Sequence, residues 1–248
     1  MRRRAVLLLT TMATALLLVT GVAIADSVTC SPNTNPDDPS QEPCWGSSLD
    51  DTITGTLKLD YIIGLGGKDT INASYGDDTV YGDFEPKGEE VCSSDDNNDP
   101  SDNGDTIRGG YGDDAIEGGV GKDTIYGGYD DDTIDGCDGD DTIYGEWNRD
   151  VIDGGAGGDT LYGGINRDTI TGGAGIDTIK GENDADTIDA ADGEADFISC
   201  GTGTDTLKAD AYADAYGKII PIDKNLDDTP LTTAKSSCEN IEWVIKAS

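Results

Sequence analysis

An aliphatic residue recurs every ninth position through most of this chain. Ile71, Val80, Ile107, Ile116, Ile125, Ile134, Ile143, Ile152, Leu161, Ile170, Ile179 and Ile188 hold the count, mostly between Thr, Tyr or acidic neighbours. One inward residue between two outward ones is the signature of a short strand. Two positions before each stands an aspartate: Asp69, Asp78, Asp105, Asp114, Asp123, Asp132, Asp141, Asp150, Asp159, Asp168, Asp177 and Asp186. Glycines crowd the approach, with Gly109, Gly118, Gly127, Gly136, Gly154, Gly163 and Gly172 five positions ahead of their aspartates. Glycine supplies the positive-φ conformations of a tight turn. Each nine-residue unit is therefore a turn followed by a strand.

A unit this short cannot bury its own aliphatic side chain, but stacked neighbours can. Two units make one coil, with a strand on each of two facing sheets. The pattern predicts an all-β parallel solenoid whose core is a thin double row of Ile. Outward positions then sort by face. One face carries Thr106, Thr124, Thr142, Thr160 and Thr178 beside Tyr126, Tyr144 and Tyr162. The other carries Glu117, Asp135, Asp153, Thr171 and Asp189. Thr and Tyr are good strand residues in any case. As recognition surfaces, the two faces would suit carbohydrate, a mineral, ice or another cell surface; a single Thr row beside bulky Tyr matches ice poorly.

The period also divides the chain. Residues 49–207 are the coil, with a polar loop inserted at 82–104, where the aliphatic positions vanish. Residues 26–48 form a leader, and residues 208–248 form a C-terminal cap whose end, Ile241–Lys246, reads as a strand. Residues 1–25 read as an export signal. Arg2, Arg3 and Arg4 precede a mainly apolar stretch that ends in Ala23-Ile24-Ala25, a form that signal peptidase cleaves. The mature chain has no predicted membrane span.

Composition adds a condition. The formal charge is −35, from 51 acidic against 16 basic residues, with no His. Acidic, aromatic-poor chains are ordinarily disordered, yet this one is strictly periodic. Such a chain folds once something neutralises it. Nucleic acid is excluded as a partner by the sign of the charge. Six cysteines in an exported chain imply disulfides rather than zinc, since no His or Cys-x-x-Cys is present. Local spacing favours Cys30–Cys44 and Cys200–Cys238, leaving Cys92 for Cys137.

Stacked strands lie about 4.8 Å apart, so aspartates of successive coils crowd together. Calcium between turns relieves that repulsion, because it accepts six to eight oxygens from carboxylates and backbone carbonyls. Magnesium is the other candidate, but it demands a stricter octahedron. The units at 109–117, 118–126, 154–162 and 172–180 read in full as Gly-Gly-x-Gly-x-Asp-x-aliphatic-x. That pattern resembles the RTX, or haemolysin-type, calcium-binding nonapeptide repeat, and the resemblance spans residues 46–207. It implies a parallel β-roll with several calcium ions held in its turns. The ligands it implies are the twelve grid aspartates and the carbonyls of the glycine turns, including the seven glycines above. Trp147-Asn148, Glu182-Asn183-Asp184, Cys137 and Asn166 depart from the pattern, so the resemblance reaches those turns less directly.

Catalysis is not expected. Without His, every His-dependent triad is absent. The carboxylates that a glycosidase would need are nearly all committed to the grid, and no other segment is long enough for a catalytic domain. The Gly-x-Gly runs are not nucleotide loops, because no Lys-Ser/Thr follows. The expected protein is secreted, calcium-binding and structural, adhesive or buffering. A cell-surface or extracellular polymer is the open partner class, and the oligomeric state is unassigned. A secreted hydrolase using the acidic face or the insertion loop is the alternative.

Overall fold

The computed structural model describes residues 27–30, 44–82, 104–213, 219–221, 224–225 and 238–246. Among them there are strands and no helix. The export signal, most of the insertion loop and Cys92 lie outside the described residues.

The strands alternate between two parallel sheets, as an 18-residue coil requires. In the first sheet Ile107, Ile125, Ile143, Leu161, Ile179 and Ile198 stand in register on successive strands. In the second, Ile116, Ile134, Ile152, Ile170, Ile188 and Leu207 do the same. All twelve are buried. They form one continuous core between the sheets. The solenoid is thus a β-roll, and the nine-residue count is the alternation of its two faces.

Register survives both irregularities in the count. Ile71 pairs with Ile107 and Val80 with Ile116, so the stack passes from one coil to the next across the insertion. The extra residue before Asp196 is absorbed in a turn, since Ile179 still faces Ile198. Burial of the aliphatic rows enforces this, because a slip of one residue would turn each side chain to the wrong face.

Both ends are covalently tied. Cys30–Cys44 joins the segments that carry the first strand of each sheet, and Cys200–Cys238 joins the last coil to the start of the final strand. Both bonds are those expected from local spacing. Cys137 is also disulfide-bonded. The strand Asn240–Lys246 runs parallel to Thr206–Ala213 and places Ile241 beside Leu207, closing the end of the second sheet.

A mid-stack truncation should be costly. Ile143 is fully buried, and its neighbours are held by the coil above and below. Ile143→Ala is expected to destabilise the calcium-saturated protein by about 2–5 kcal/mol, read from urea unfolding. A loss near zero would mean that the aliphatic row contributes little.

Candidate metal centre

Each turn is built from the backbone outward. At Gly118 an added Cβ would lie 2.6 Å from Asp123 Oδ2 and 2.8 Å from the carbonyl oxygen of Gly136 in the next coil. Gly163 is enclosed in the same way by Asp168 Oδ2 at 2.6 Å and the Gly181 carbonyl at 2.8 Å. Gly109, Gly127, Gly136 and Gly154 repeat this enclosure by the aspartate of their own unit and the carbonyl of the next coil, and Gly172 meets Asp177 Oδ2. Six of the seven glycines thus let a carboxylate oxygen and a carbonyl oxygen converge where a side chain would stand. Gly118→Ala should cost about 1–3 kcal/mol through overpacking, measured as a lower melting temperature in calcium. An unchanged melting temperature would show that the turn has room to spare.

The grid aspartates form two continuous ladders. Oδ1 of each accepts the backbone N–H of the grid aspartate one coil earlier. On one edge Asp51, Asp69, Asp105, Asp123, Asp141, Asp159, Asp177 and Asp196 link in this way at 2.6–2.9 Å. On the other edge Asp60, Asp78, Asp114, Asp132, Asp150, Asp168, Asp186 and Asp205 link at 2.7–3.0 Å. All sixteen residues are buried.

The second oxygen is the exceptional atom. Oδ2 of Asp78, Asp114, Asp132, Asp141, Asp150, Asp159, Asp168, Asp177, Asp186 and Asp205 is buried and accepts no hydrogen bond. Two earlier turns show the contrast. Asp51 Oδ2 accepts from Ser47 N–H at 2.6 Å and Ser47 Oγ at 2.8 Å, and Asp60 Oδ2 accepts from Thr56 N–H at 2.5 Å. Those turns keep Gly46 and Gly55 at the first glycine position but carry Ser47 and Thr56 at the second, and the backbone N–H of that residue occupies Oδ2. The later turns leave one oxygen unspent, including those of Asp150 and Asp186, which keep only the first glycine.

An ionised carboxylate buried with an unsatisfied oxygen is expensive unless a proton or cation meets it. Accordingly, burial pushes these carboxyls up. The ladder N–H pulls each one back, while neighbouring carboxylates add to the rise. Asp78, Asp114, Asp141, Asp150, Asp159 and Asp186 reach about 7. Asp132 and Asp168 reach about 8. Asp177 and Asp205 are raised for the same first cause.

Among the described residues no three carboxylate or cysteine side chains converge on one point. The carbonyl oxygens enclosed at the glycines are further donors beside Oδ2, a combination that suits calcium. The donor set and the unspent Oδ2 atoms fit that ion.

The twelve aspartates expected from the count all lie in the ladders. Asp51 and Asp60 keep the count in turns whose glycines are largely missing, and Asp196 and Asp205 stand one residue out of step; none of the four was assigned to the site, although all four join the ladders. Glu239 was also missed. Its Oε2 accepts the Asp205 N–H at 2.9 Å, taking the place of the next grid carboxylate. No periodicity reaches it, because it arrives on the returning C-terminal segment. The turns that depart from the pattern keep the turn conformation. Cys137, Glu146, Asn148, Asn166, Glu182 and Asp184 all have positive φ.

A sequence-family model described as the RTX calcium-binding nonapeptide repeat matches the chain in four copies, at residues 45–80, 101–128, 126–161 and 162–194. No curated protein matches the chain.

Proposed function

The chain belongs to the RTX calcium-binding nonapeptide-repeat family, and from that membership we propose an exported structural or adhesive protein whose coil is assembled by calcium. Family membership and the β-roll make it a calcium-binding protein of a kind that is typically structural rather than catalytic. The observation that carries the finer reading is the row of buried Oδ2 atoms without hydrogen bonds.

The residues proposed to hold calcium are the grid aspartates, through Oδ2, with carbonyls of the turn glycines. Bound calcium would supply the positive charge that these oxygens lack. The chain's own contribution is preorganisation. Each Oδ1 is fixed by a ladder N–H, so its carboxylate cannot rotate Oδ2 away without breaking that bond. The glycines remove the side chains that would block approach. In the unfolded chain none of these oxygens converge, so binding and folding are one event.

Export is proposed on two grounds. Residues 1–25 have the composition of a signal peptide, and the disulfides suit an oxidising compartment. Where cytosolic calcium is low, the acidic chain would stay unfolded and competent for translocation. Among the described residues no helix is long and apolar enough to cross a membrane.

Calorimetric titration of the metal-free protein with calcium, and separately with magnesium, tests this reading. Calcium should bind at several sites, with a heat that tracks the gain of β-sheet circular dichroism. Magnesium should do so only weakly. Equal responses to both ions, or calcium heat without β gain, would refute it.

A further inference from the structure

The two edges of the β-roll differ in a way that calcium binding does not use. On the edge whose turns lead into the second sheet, one column of outward residues runs Tyr75, Tyr111, Tyr129 and Trp147. Their rings stack at 4.6, 4.7 and 5.4 Å between centroids. They are 48%, 44%, 41% and 44% exposed. Stacking occupies the faces of the inner rings, so the column offers edges rather than sugar-binding platforms.

Two residues further along each turn is a second column: Asp77, Asp113, Asp131, Arg149 and Arg167. Three negative charges are followed by two positive ones. The opposite edge has no such division, with Asp50, Lys68, Lys122 and Asp140 mixed at the matching positions. Backbone links order the column. Asp131 N–H donates to Asp113 Oδ1 at 3.0 Å, and Arg149 N–H donates to Asp131 Oδ1 at 3.1 Å. The Arg149 guanidinium also meets Asp131 at 2.5 Å. Among the described residues Arg167 makes no ion pair. Arg149 and Arg167, with Asn148 and Asn166, line an open cleft of about 400 Å³.

We infer that this edge is a docking surface for a second copy of the chain, laid antiparallel about a two-fold axis between the Asp131 and Arg149 coils. The charge order is the reason. In that arrangement Asp113 meets Arg167 of the second copy, and Arg167 meets Asp113 of the second copy. Asp131 and Arg149 gather as a four-charge group on the axis. Tyr129 faces Trp147 of the second copy, so both columns share one centre. Spacing matches by construction, because a single coil rise sets both the acidic and the basic ladder. A parallel in-register pair would instead set like charges together. An isologous contact of this kind closes on itself.

The contact is small. Five rungs at about 4.8 Å span roughly 20 Å, less than a standard interface needs, so the dimer is weak and fast. It rests on the calcium-assembled coil, since only the folded stack aligns the columns.

Sedimentation velocity in calcium, across a protein concentration series reaching about 10⁻⁴ M, tests the inference, with circular dichroism confirming the folded coil in every sample. Wild type should self-associate reversibly, and more weakly as sodium chloride rises. Arg167→Asp and Asp113→Arg should each weaken association about tenfold or more, because two symmetric attractions become repulsions. Mixing these two variants, or combining them in one chain, should restore it. A folded wild-type protein that stays monomeric overturns the inference. So does a dimer indifferent to both substitutions, or an Arg cleft that captures a free polyuronate while the protein remains monomeric. Failure of the coil to fold in calcium is a different result: circular dichroism would report it, and it would refute the proposed function instead.

Discussion

Chelating calcium from the folded protein at pH 8 is expected to abolish its β-sheet circular dichroism, and restoring calcium should bring it back. Two quantities set the size of this effect. Without calcium, ten buried Oδ2 atoms have no hydrogen bond, in a chain of formal charge −35. With calcium, each site of Kd about 10⁻⁴ M contributes roughly 2.7 kcal/mol at a hundredfold excess over Kd. Five such sites would supply about 13 kcal/mol, comparable to the whole stability of an ordinary domain. The aliphatic core is largely offset by the entropy of ordering the chain, so the ions are expected to decide the balance. A β-sheet spectrum that persists in excess chelator at pH 8 would show that the core suffices alone.

Protons should partly replace the ion. In the metal-free coil the carboxyls of Asp132 and Asp168 lie at about 8, and those of Asp114, Asp141 and Asp150 at about 7. Burial is the main cause, and the unfolded chain keeps the ordinary value near 4. Between these limits the folded state binds more protons than the unfolded state. Its stability therefore rises as pH falls through that window and declines as pH rises through it. Calcium-stripped protein should be a coil at pH 8 and recover β structure near pH 5. The neighbouring carboxylates interact, so the transition should follow the ladder as a unit rather than separate sites. Calcium affinity should move the opposite way, weakening below about pH 7 as protons compete for the same oxygens. Stripped protein that remains a coil at pH 5 would mean that the cost of burying ionised carboxylates is not what holds the metal-free chain open.

Much of the architecture was legible because a single period governs it. Ile125 to Ile134 is one change of sheet, and Ile125 to Ile143 is one coil; both follow from counting. The faces followed too: Thr124, Thr142 and Thr160 do stand in line, beside Tyr126, Tyr144 and Tyr162. The cysteine pairs at the two ends were readable from their separation. Where the count failed, the reading stopped short. Asp196 lies one residue out of step, yet it accepts the Asp177 N–H like any grid member. Glu239 belongs to no repeat, yet it ends a ladder.

Alone, the sequence determined the strand and turn of each unit, the two aliphatic rows, and the placing of a carboxylate and a glycine at every bend. Those are local consequences of side-chain alternation and backbone freedom, and neither needs a distant neighbour. Tertiary structure decided how the two oxygens of each aspartate divide. One is held by the coil before it, while the other is left buried and unspent in ten of the turns. It also gathered three acids and two arginines into one outer column. Both outcomes depend on contacts between residues eighteen or more positions apart, whose hydrogen bonds run along the stack. A repeat can say that such residues are neighbours, but only packed coordinates show which atom faces which.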